Sequence, residues 1–435
     1  MVLGATAVFF APRLLALPNL AQQTAYPGPV AADGHLCENV HNGPTPLPAH
    51  PIDQLHPEEA MLPWFPWCRF ELYLIMPKHL TMPKHLALLL LLTGLEIGGS
   101  TEPLSAQSGP PASQAVALRI VTFNAEILTA PRAPSGKIHK YRFDRARRLH
   151  LERIAAVIET LNPDILNLVE VTSRETLDQL VKILHEKGLT DYHGYHVESN
   201  DTYTELDVAL ISRYQPDLIE GEAIRTFFSE ANDPTWRKSY RFTNHQGKPS
   251  QRTTSISRNC LYFFTIGGHK LAFLGLHLKA NPQNEYANAK RSAEAEIAQR
   301  ILKTKVLPLH YIPIVLGDIN DYDAEVLDRD ETRSTSTNVL RKLKDFDRTS
   351  GGDELVNVAE LIVRQSDRFT SHWDWNENGA HDGEDVYTMI DHILLGKQLL
   401  PFVKRVFISH SISIDTSDHY PIVLDLELPI KTGLD

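Results

Sequence analysis

The feature that most limits what this chain can become is where polar residues fall in its most apolar segments. From residue 117 onward, short β-rich runs recur with an ionisable or amide side chain at the end or in the middle. RIVTF is followed by Asn124, ILNLV by Glu170, AFLGL by His277, and IVLG by Asp318 and Asn320. Asp391 and His392 sit inside MIDHILL, and Asp418 and His419 lead into YPIVLDLEL. Removing such groups from water costs free energy unless they are hydrogen-bonded, paired or bound to a cation. Six such places point to a fold that gathers strand ends at one site.

The intervening pattern says what that fold is. Ala117–Phe123, Asp164–Val171, Asp207–Ser212, Ile312–Leu316, Met389–Leu394, Val403–Ile408 and Pro421–Leu426 read as strands. Leu261–Ile266 and Leu271–Leu278 flank Gly267-Gly268, a hairpin signal. Apolar residues at helical spacing mark Phe143–Leu161, which Asn162-Pro163 ends, and Arg174–Lys187; Glu285–Lys303 is an Ala-rich helix with alternating charge. Helices interleave with strands, but hairpins occur as well. That mixture excludes a purely parallel doubly wound sheet and predicts an α/β (α+β) sandwich of two mixed sheets flanked by helices.

Composition narrows the class. At 42% hydrophobic and 22% charged residues, the 435-residue chain is neither disordered, collagenous nor a polytopic membrane protein. A net charge of −11 argues against nucleic-acid binding through a broad basic surface, though not against a local basic patch beside a metal. Three cysteines, Cys37, Cys68 and Cys260, make neither a disulfide framework nor a thiolate zinc cluster.

The amino-terminal region has a different character. Residues 1–81 are Pro-rich and aperiodic, and read as disordered or as an over-extended start. A local duplication, MPKHL-T-MPKHL, then leads into LALLLLLTGL and a stretch of small polar residues. Basic residues, a ten-residue apolar run and small residues are the grammar of a secretory signal peptide, here 82–106 with cleavage near Ala106. The alternative is an apolar helix in an extension; the run is shorter than the roughly 17–25 residues that span a bilayer. Residues 107–116 read as a linker, 117–428 as the domain that carries the strand ends and 429–435 as a tail. The expected location is therefore secreted or periplasmic.

The strand-end residues have a consistent chemistry. Carboxylates suit a hard divalent cation, amides orient phosphate oxygens without adding charge, and His277 and His419 can move protons near neutral pH. No HExxH, Walker loop or GxSxG occurs. The set fits Mg2+- or Mn2+-assisted phosphoester hydrolysis.

Seven ordered blocks, LRIVTFNAEIL, PDILNLVEV, DVALISRY, LGLHLKA, IVLGDINDYD, MIDHILL and SDHYPIVLDL, resemble the endonuclease/exonuclease/phosphatase superfamily, whose best-known member is deoxyribonuclease I. The resemblance covers about residues 117–428 and implies a four-layer α/β/β/α sandwich with its site at one edge of both sheets. It implies metal binding by Glu170 and, beside it, Asn124 and Asp418. It makes His277 the first catalytic histidine, Asp318 the residue that orients or activates water, and Asn320 a phosphate holder. Asp391 would support His419, the general base or phosphate-binding histidine. Arg213 matches the SRY segment and is expected to support the site or touch phosphate. Lys279 and Arg291 are further phosphate candidates, with a solvated loop and a solvated helix face as the alternatives. His392 is expected to be structural. Trp373 and Trp375 read as base-stacking or loop-packing residues, and Asp321 and Asp323 as a structural Ca2+ site or ordinary loop carboxylates.

Three functions fit this set. The HLKANP and GDINDY segments look like the extracellular bacterial branch, so a secreted nuclease, with DNA or RNA as substrate, leads. A phosphatase or sphingomyelinase-like phospholipase, acting on a small phosphoester or phospholipid, is the alternative. It is disfavoured by Ile390–His392, where the inositol-polyphosphate branch has CDR, and by the lack of a clear aromatic membrane hairpin. A non-catalytic phosphoester-binding module is remote, because all eight matched positions are intact. The polar insert 221–258, with Arg237, Lys238, Arg241, Lys248, Arg252 and Arg258, is expected to shape the substrate groove or to be a solvated insertion. No protein partner is evident.

Overall fold

The computed structural model describes residues 114–133, 146–201, 203–229, 234–331, 337–347, 354–374, 376, 378 and 382–431. Segment 1–81, the expected signal peptide 82–106, most of the linker, Trp375 and the last four residues lie outside the described residues.

The chain enters a first sheet with β1 (Ala115–Leu128), β2 (Ile165–Val171), β3 (His193–Tyr195) and β4 (Asp207–Ser212). It crosses to a second sheet with β5 (Ile224–Arg225) and then makes a separate hairpin, β6 (Lys238–Thr243) and β7 (Pro249–Thr254). β8 (Asn259–Ile266), β9 (His269–His277), β10 (Ile312–Asp318) and β11 (Leu355–Asn357) extend the second sheet. A small ribbon, β12 (Ser371–Trp373) with β13 (Val386–Thr388), precedes β14 (Asp391–Gly396), the last strand of that sheet. β15 (Val403–Ile408) and β16 (Ile422–Pro429) return to the first. The strand orders are β15-β16-β1-β2-β4-β3 and β11-β14-β10-β9-β8-β5, both mixed.

Among the described residues four α-helices flank the sheets: α1 (Arg148–Leu161), α2 (Arg174–Glu186), α3 (Glu285–Ile301) and α4 (Val339–Lys344). Two local signals set where they begin. Ser173 accepts the Thr176 N–H at the start of α2, and Asn284 accepts the Ala287 N–H at the start of α3. α3 runs on as a π-helical turn, Leu302–Val306. Among the described residues no helix is long and apolar enough to cross a membrane.

The period-2 alternation of the central strands builds three cores. Leu118 and Ile120 of β1 face Tyr262, Phe273 and Ile314 of the other sheet, while Val121 and Phe123 turn outward onto Ile154 and Leu180 of α1 and α2. On the other side Leu274 and Val315 pack against Ile297 and Ala298 of α3. Helices, sheet, sheet and helices therefore form the four layers that the sequence predicts. The hairpin β6–β7 was not foreseen: its polar residues disguise a strand pair. β1 also begins at Ala115, inside the segment read as linker, and β16 reaches Pro429 of the expected tail.

A buried polar contact set crosses between the sheets. Asn167 of β2 donates to Thr122 Oγ1 (3.1 Å) and accepts from the Tyr262 hydroxyl (3.3 Å) across the interface. Gly275 on β9 makes room for it, because a Cβ there would lie 2.1 Å from Asn167 Oδ1. Gly275→Ala should therefore cost about 1–3 kcal/mol of stability through overpacking, read as a lower urea midpoint at unchanged m-value.

Candidate active site

Strand register alone brings most of the polar strand ends together. β10 pairs with β9 so that Asp318 lies beside His277, and with β14 so that Asp318 lies beside Asp391. In the first sheet Asn124 pairs with Val169, next to Glu170. The segment Ser417–His419 enters β16, whose Ile422 pairs with Thr122, at the same end of the sheet. Residues nearly 300 positions apart thus meet at one edge of the sandwich.

The backbone is bent to aim them. Glu170 stands at a register shift with φ 67°, and Glu126, Ile127 and Asn320 take φ 50°, 57° and 54°. Left-handed backbone at non-glycine residues is costly and persists only where surrounding contacts hold it. Those contacts are present. The Ile127 N–H donates to Glu170 Oε2 (2.8 Å), the Glu126 N–H to Asn124 Oδ1 (3.0 Å), and the Asn320 N–H to Asp318 Oδ1 (3.0 Å). Gly317, at φ 125°, allows the turn into Asp318, since a Cβ there would lie 2.1 Å from the Leu276 carbonyl oxygen.

The side chains form one connected cluster. Asn124 Nδ2 donates to Glu170 Oε1 and to Asp318 Oδ2, both at 3.2 Å, linking the two sheets. His277 Nε2 lies 3.7 Å from each of those carboxylate oxygens. His419 Nδ1 donates to Asp391 Oδ2 (2.7 Å), and its Nε2 lies 3.9 Å from Asp418 Oδ1. Glu170, His277 and Asp318 offer ligand atoms within 4.8 Å of one another, as do Asp318, Asp391 and His419. Such a donor set fits a divalent cation. The Asn124 NH2 faces the two carboxylates and its oxygen accepts the Glu126 N–H. Asn320 likewise spends an N–H on the Leu278 carbonyl (3.3 Å).

Burial sets the charges. Burial, with Asp391 close by, pushes the Asp318 carboxyl up to about 8. Burial and Asp418 also raise Glu170. Burial and the neighbouring Arg258 hold His277 well below the usual imidazole range, so it is neutral. Burial alone would lower His419, but Asp391 and Asp418 outweigh it and keep that ring protonated well above the usual range.

Two expectations are corrected. Arg213 follows Ser212, which pairs with Ile165 at the far end of β2, away from Glu170. Its guanidinium is held by Asp191 (2.7 Å) and Asn162 (2.5 Å) and stacks over Tyr192. Arg291 is fully buried, bonded to Asp321 (3.0 Å) and to the Lys279 carbonyl (2.7 Å), so it braces the loop rather than touching solvent or phosphate. Of the two readings of Asp321 and Asp323, ordinary loop carboxylates is the one that fits, since Arg291 and Lys344 (3.1 Å) pair with them. Lys279 is half-buried beside the cluster, where burial and Arg258 lower its pKa. His392 is structural: it bonds the Asp321 carbonyl (2.9 Å) and Asn357 (3.1 Å).

Two further residues were not assigned from sequence. Arg258, known only as one of six basic residues in the insert, brings Nη1 to 3.4 Å from His277 Nε2. Ser417 donates to the Asn124 carbonyl (2.8 Å) and accepts the His419 N–H (3.0 Å), tying the last segment to the first strand. Its place beside Asp418 and His419 was the available signal.

A pH dependence follows. An unfolded aspartate loses its proton near about 3.9, whereas folded Asp318 keeps it up to about 8. The folded state therefore binds more protons across that window, and stability falls as pH rises through it. Protonated His419 adds a loss of the same sign above the ordinary imidazole range. A cation competes with these protons. Mg2+ or Mn2+ should raise Tm more at pH 8 than at pH 6, and an equal shift at both would contradict the charge assignment.

The Endonuclease/Exonuclease/phosphatase family model matches residues 121–419. No curated protein matches the sequence. Solved structures similar to the chain include D. rerio TDP2 complexed with single strand DNA product, at 17% identity over 71% of this chain and 98% of that one, with a TM-score of 0.41. An endonuclease/exonuclease/phosphatase family protein from Leptotrichia buccalis is 14% identical over 72% and 100%, TM-score 0.45. An AP endonuclease from Archaeoglobus fulgidus is 16% identical over 71% and 99%, TM-score 0.43. With most of its folded region matched by the family model, the chain belongs to the Endonuclease/Exonuclease/phosphatase family of phosphoester hydrolases.

Proposed function

We propose that the protein is an extracellular nuclease that hydrolyses nucleic-acid phosphodiester bonds by in-line attack of water, with Mg2+ or Mn2+ as cofactor. The observation that carries the reading is geometric: Glu170, His277 and Asp318 on one side, and Asp318, Asp391 and His419 on the other, bring carboxylate and imidazole atoms within 4.8 Å of one another in one buried cluster. A divalent cation held at Glu170, beside Asp318, would supply positive charge to the phosphoryl oxygens.

The chain's own groups divide the remaining work. In its ionised form, which a bound cation favours, Asp318 would accept the proton of the attacking water. The Asn124 and Asn320 N–H bonds fix both of its oxygens. His419, held by Asp391, donates to a phosphoryl oxygen as charge develops there. Neutral His277 offers a hydrogen bond without adding charge, and Arg258 beside it supplies a cation. Asp418 enters as the carboxylate at the rim, half-exposed next to His419 Nε2.

A basic and aromatic trough favours a polymer as substrate. Arg258 and Lys279 lead from the cluster toward Lys290, Tyr286 and Arg252. There the hairpin β6–β7 and the start of α3 enclose a cavity of about 470 Å3, lined by Phe242, His245, Arg252 and Tyr286 among others. Arg252 lies over the Phe242 and Tyr286 rings at 5.7 and 5.5 Å. Cations along a backbone path and ring faces for bases are what a nucleic-acid strand uses. The secreted location rests on residues 82–106.

Asp318→Asn and His419→Ala should each slow Mg2+-dependent nicking of supercoiled plasmid by about 10²–10⁴-fold. A folded wild-type protein that nicks nothing with either metal would send the assignment to small phosphoesters or phospholipids, to be tested by phosphate release. Arg252→Ala with Tyr286→Ala should raise KM for polynucleotide several-fold and leave turnover of a small synthetic phosphodiester unchanged. Equal loss on both substrates would remove the trough from the proposal.

A further inference from the structure

The ribbon of β12 and β13 has two unlike faces. One is packed: the His372 side chain is fully enclosed, stacks on Tyr387 at 4.7 Å between ring centroids and bonds Asp385 (2.7 Å). Tyr387 in turn meets Phe369 edge-on at 5.0 Å. On the other face Trp373 pairs with Val386 across the ribbon, and both stay exposed, at 58% and 40%. Single apolar side chains on a surface are ordinary. These two are cross-strand neighbours on a ribbon that already has an enclosed face to fold on.

Register says where the exposed face looks. Ser371 forms an antiparallel bridge with His419, and the His372 N–H donates to the Asp418 carbonyl (2.8 Å). Residues opposite each other in an antiparallel pair carry their side chains on one face, and so do residues two apart along a strand. Trp373 therefore shares a face with Ser371 and His419, only about 7 Å along the strand from Ser371. An exposed indole stands at the rim of the catalytic cluster.

It stands on the side away from the trough. Asp391, Asp318 and His277 lie on the adjacent strands β14, β10 and β9. Arg258, where the trough begins, immediately precedes β8, the next strand beyond β9. The ribbon joins at the opposite end of this row, through His419 and its bond to Asp391. A phosphate at the cluster would have cations along one side and an apolar shelf along the other.

We propose that Trp373, with Val386 beside it, is a specificity-determining residue: its indole stacks on the unpaired base of the nucleotide next to the scissile phosphate, on the side away from the trough. This rests on the nuclease reading and deepens it. A strand held on both sides of the bond that breaks favours internal cleavage over removal of a terminal nucleotide. Stacking accepts every base, because each has a π face. The ties from Ser371 and His372 to the segment of Asp418 and His419 fix the shelf relative to the catalytic groups.

The test uses the full-length protein, Mg2+ and single-stranded DNA and RNA oligonucleotides whose linkages are all phosphorothioate except one internal phosphodiester. An abasic nucleotide is placed on either side of that linkage in turn. With the wild type, loss of the base on one side should lower kcat/KM about 5- to 100-fold, chiefly through KM. In Trp373→Ala the abasic and base-bearing strands should be cleaved alike, and Trp373→Phe should restore most of the difference, which a merely structural role would not. Trp373→Leu keeps an apolar surface without the ring and serves if Trp373→Ala does not fold. A wild type that leaves an all-phosphodiester strand uncut would remove the nuclease reading itself. Where that strand is cut, failure to cut the single internal linkage, indifference of the wild type to either abasic position, or base dependence that survives in Trp373→Ala would overturn this proposal alone.

Discussion

The Asn124 amide holds together two carboxylates that would otherwise repel each other, one from each sheet. Glu170 belongs to the first sheet and Asp318 to the second, and a single NH2 group donates to both. Around this bridge the rest of the edge is arranged. Ser417 fixes the Asn124 carbonyl, which seats Asp418 and His419, and His419 then reaches back across the sandwich to Asp391 of the second sheet. The interface between the sheets is apolar over most of its extent, so these few polar links also set how the layers sit on one another.

This arrangement explains why polar residues recur at strand ends. A strand end is where backbone pairing stops and a side chain can leave the layer. Parallel β9 and β10 place two such ends side by side, and antiparallel β14 adds its beginning, so three strands contribute a histidine and two aspartates in adjacent register. The cost of burying them appears as carboxyls raised and an imidazole lowered by the same enclosure. Positive charge, from His419, from Arg258 or from a metal ion, offsets that cost.

Much of this was legible in the sequence, for a physical reason. β4 is found where its apolar run places it, and the Gly267-Gly268 turn joins β8 to β9, because burial on both faces leaves near-continuous apolar runs. The polar hairpin β6–β7 has no such run and escaped notice, although it walls the trough. Arg213 misled because its match to the SRY segment does not say which end of β4 it occupies, and Ser212 pairs with Ile165, away from Glu170. Arg291 misled because a charged residue on an alternating-charge helix reads as solvated, while here it is enclosed by Asp321, Asn288 and the Lys279 carbonyl. The bonds to Asp321 and to the Lys279 carbonyl are not local, so they leave no periodic trace.

The split of the site between sheets bears on how the protein fails. Each sheet keeps its own ladder and its own helical cover, so each can persist while the apolar seam between them slips. The bonds from Asn124 to Asp318 and from His419 to Asp391 have no such tolerance, since an ångström of shear breaks both. Inactivation by heat or denaturant can then precede loss of secondary structure, with catalytic competence reporting the alignment of two still-folded layers.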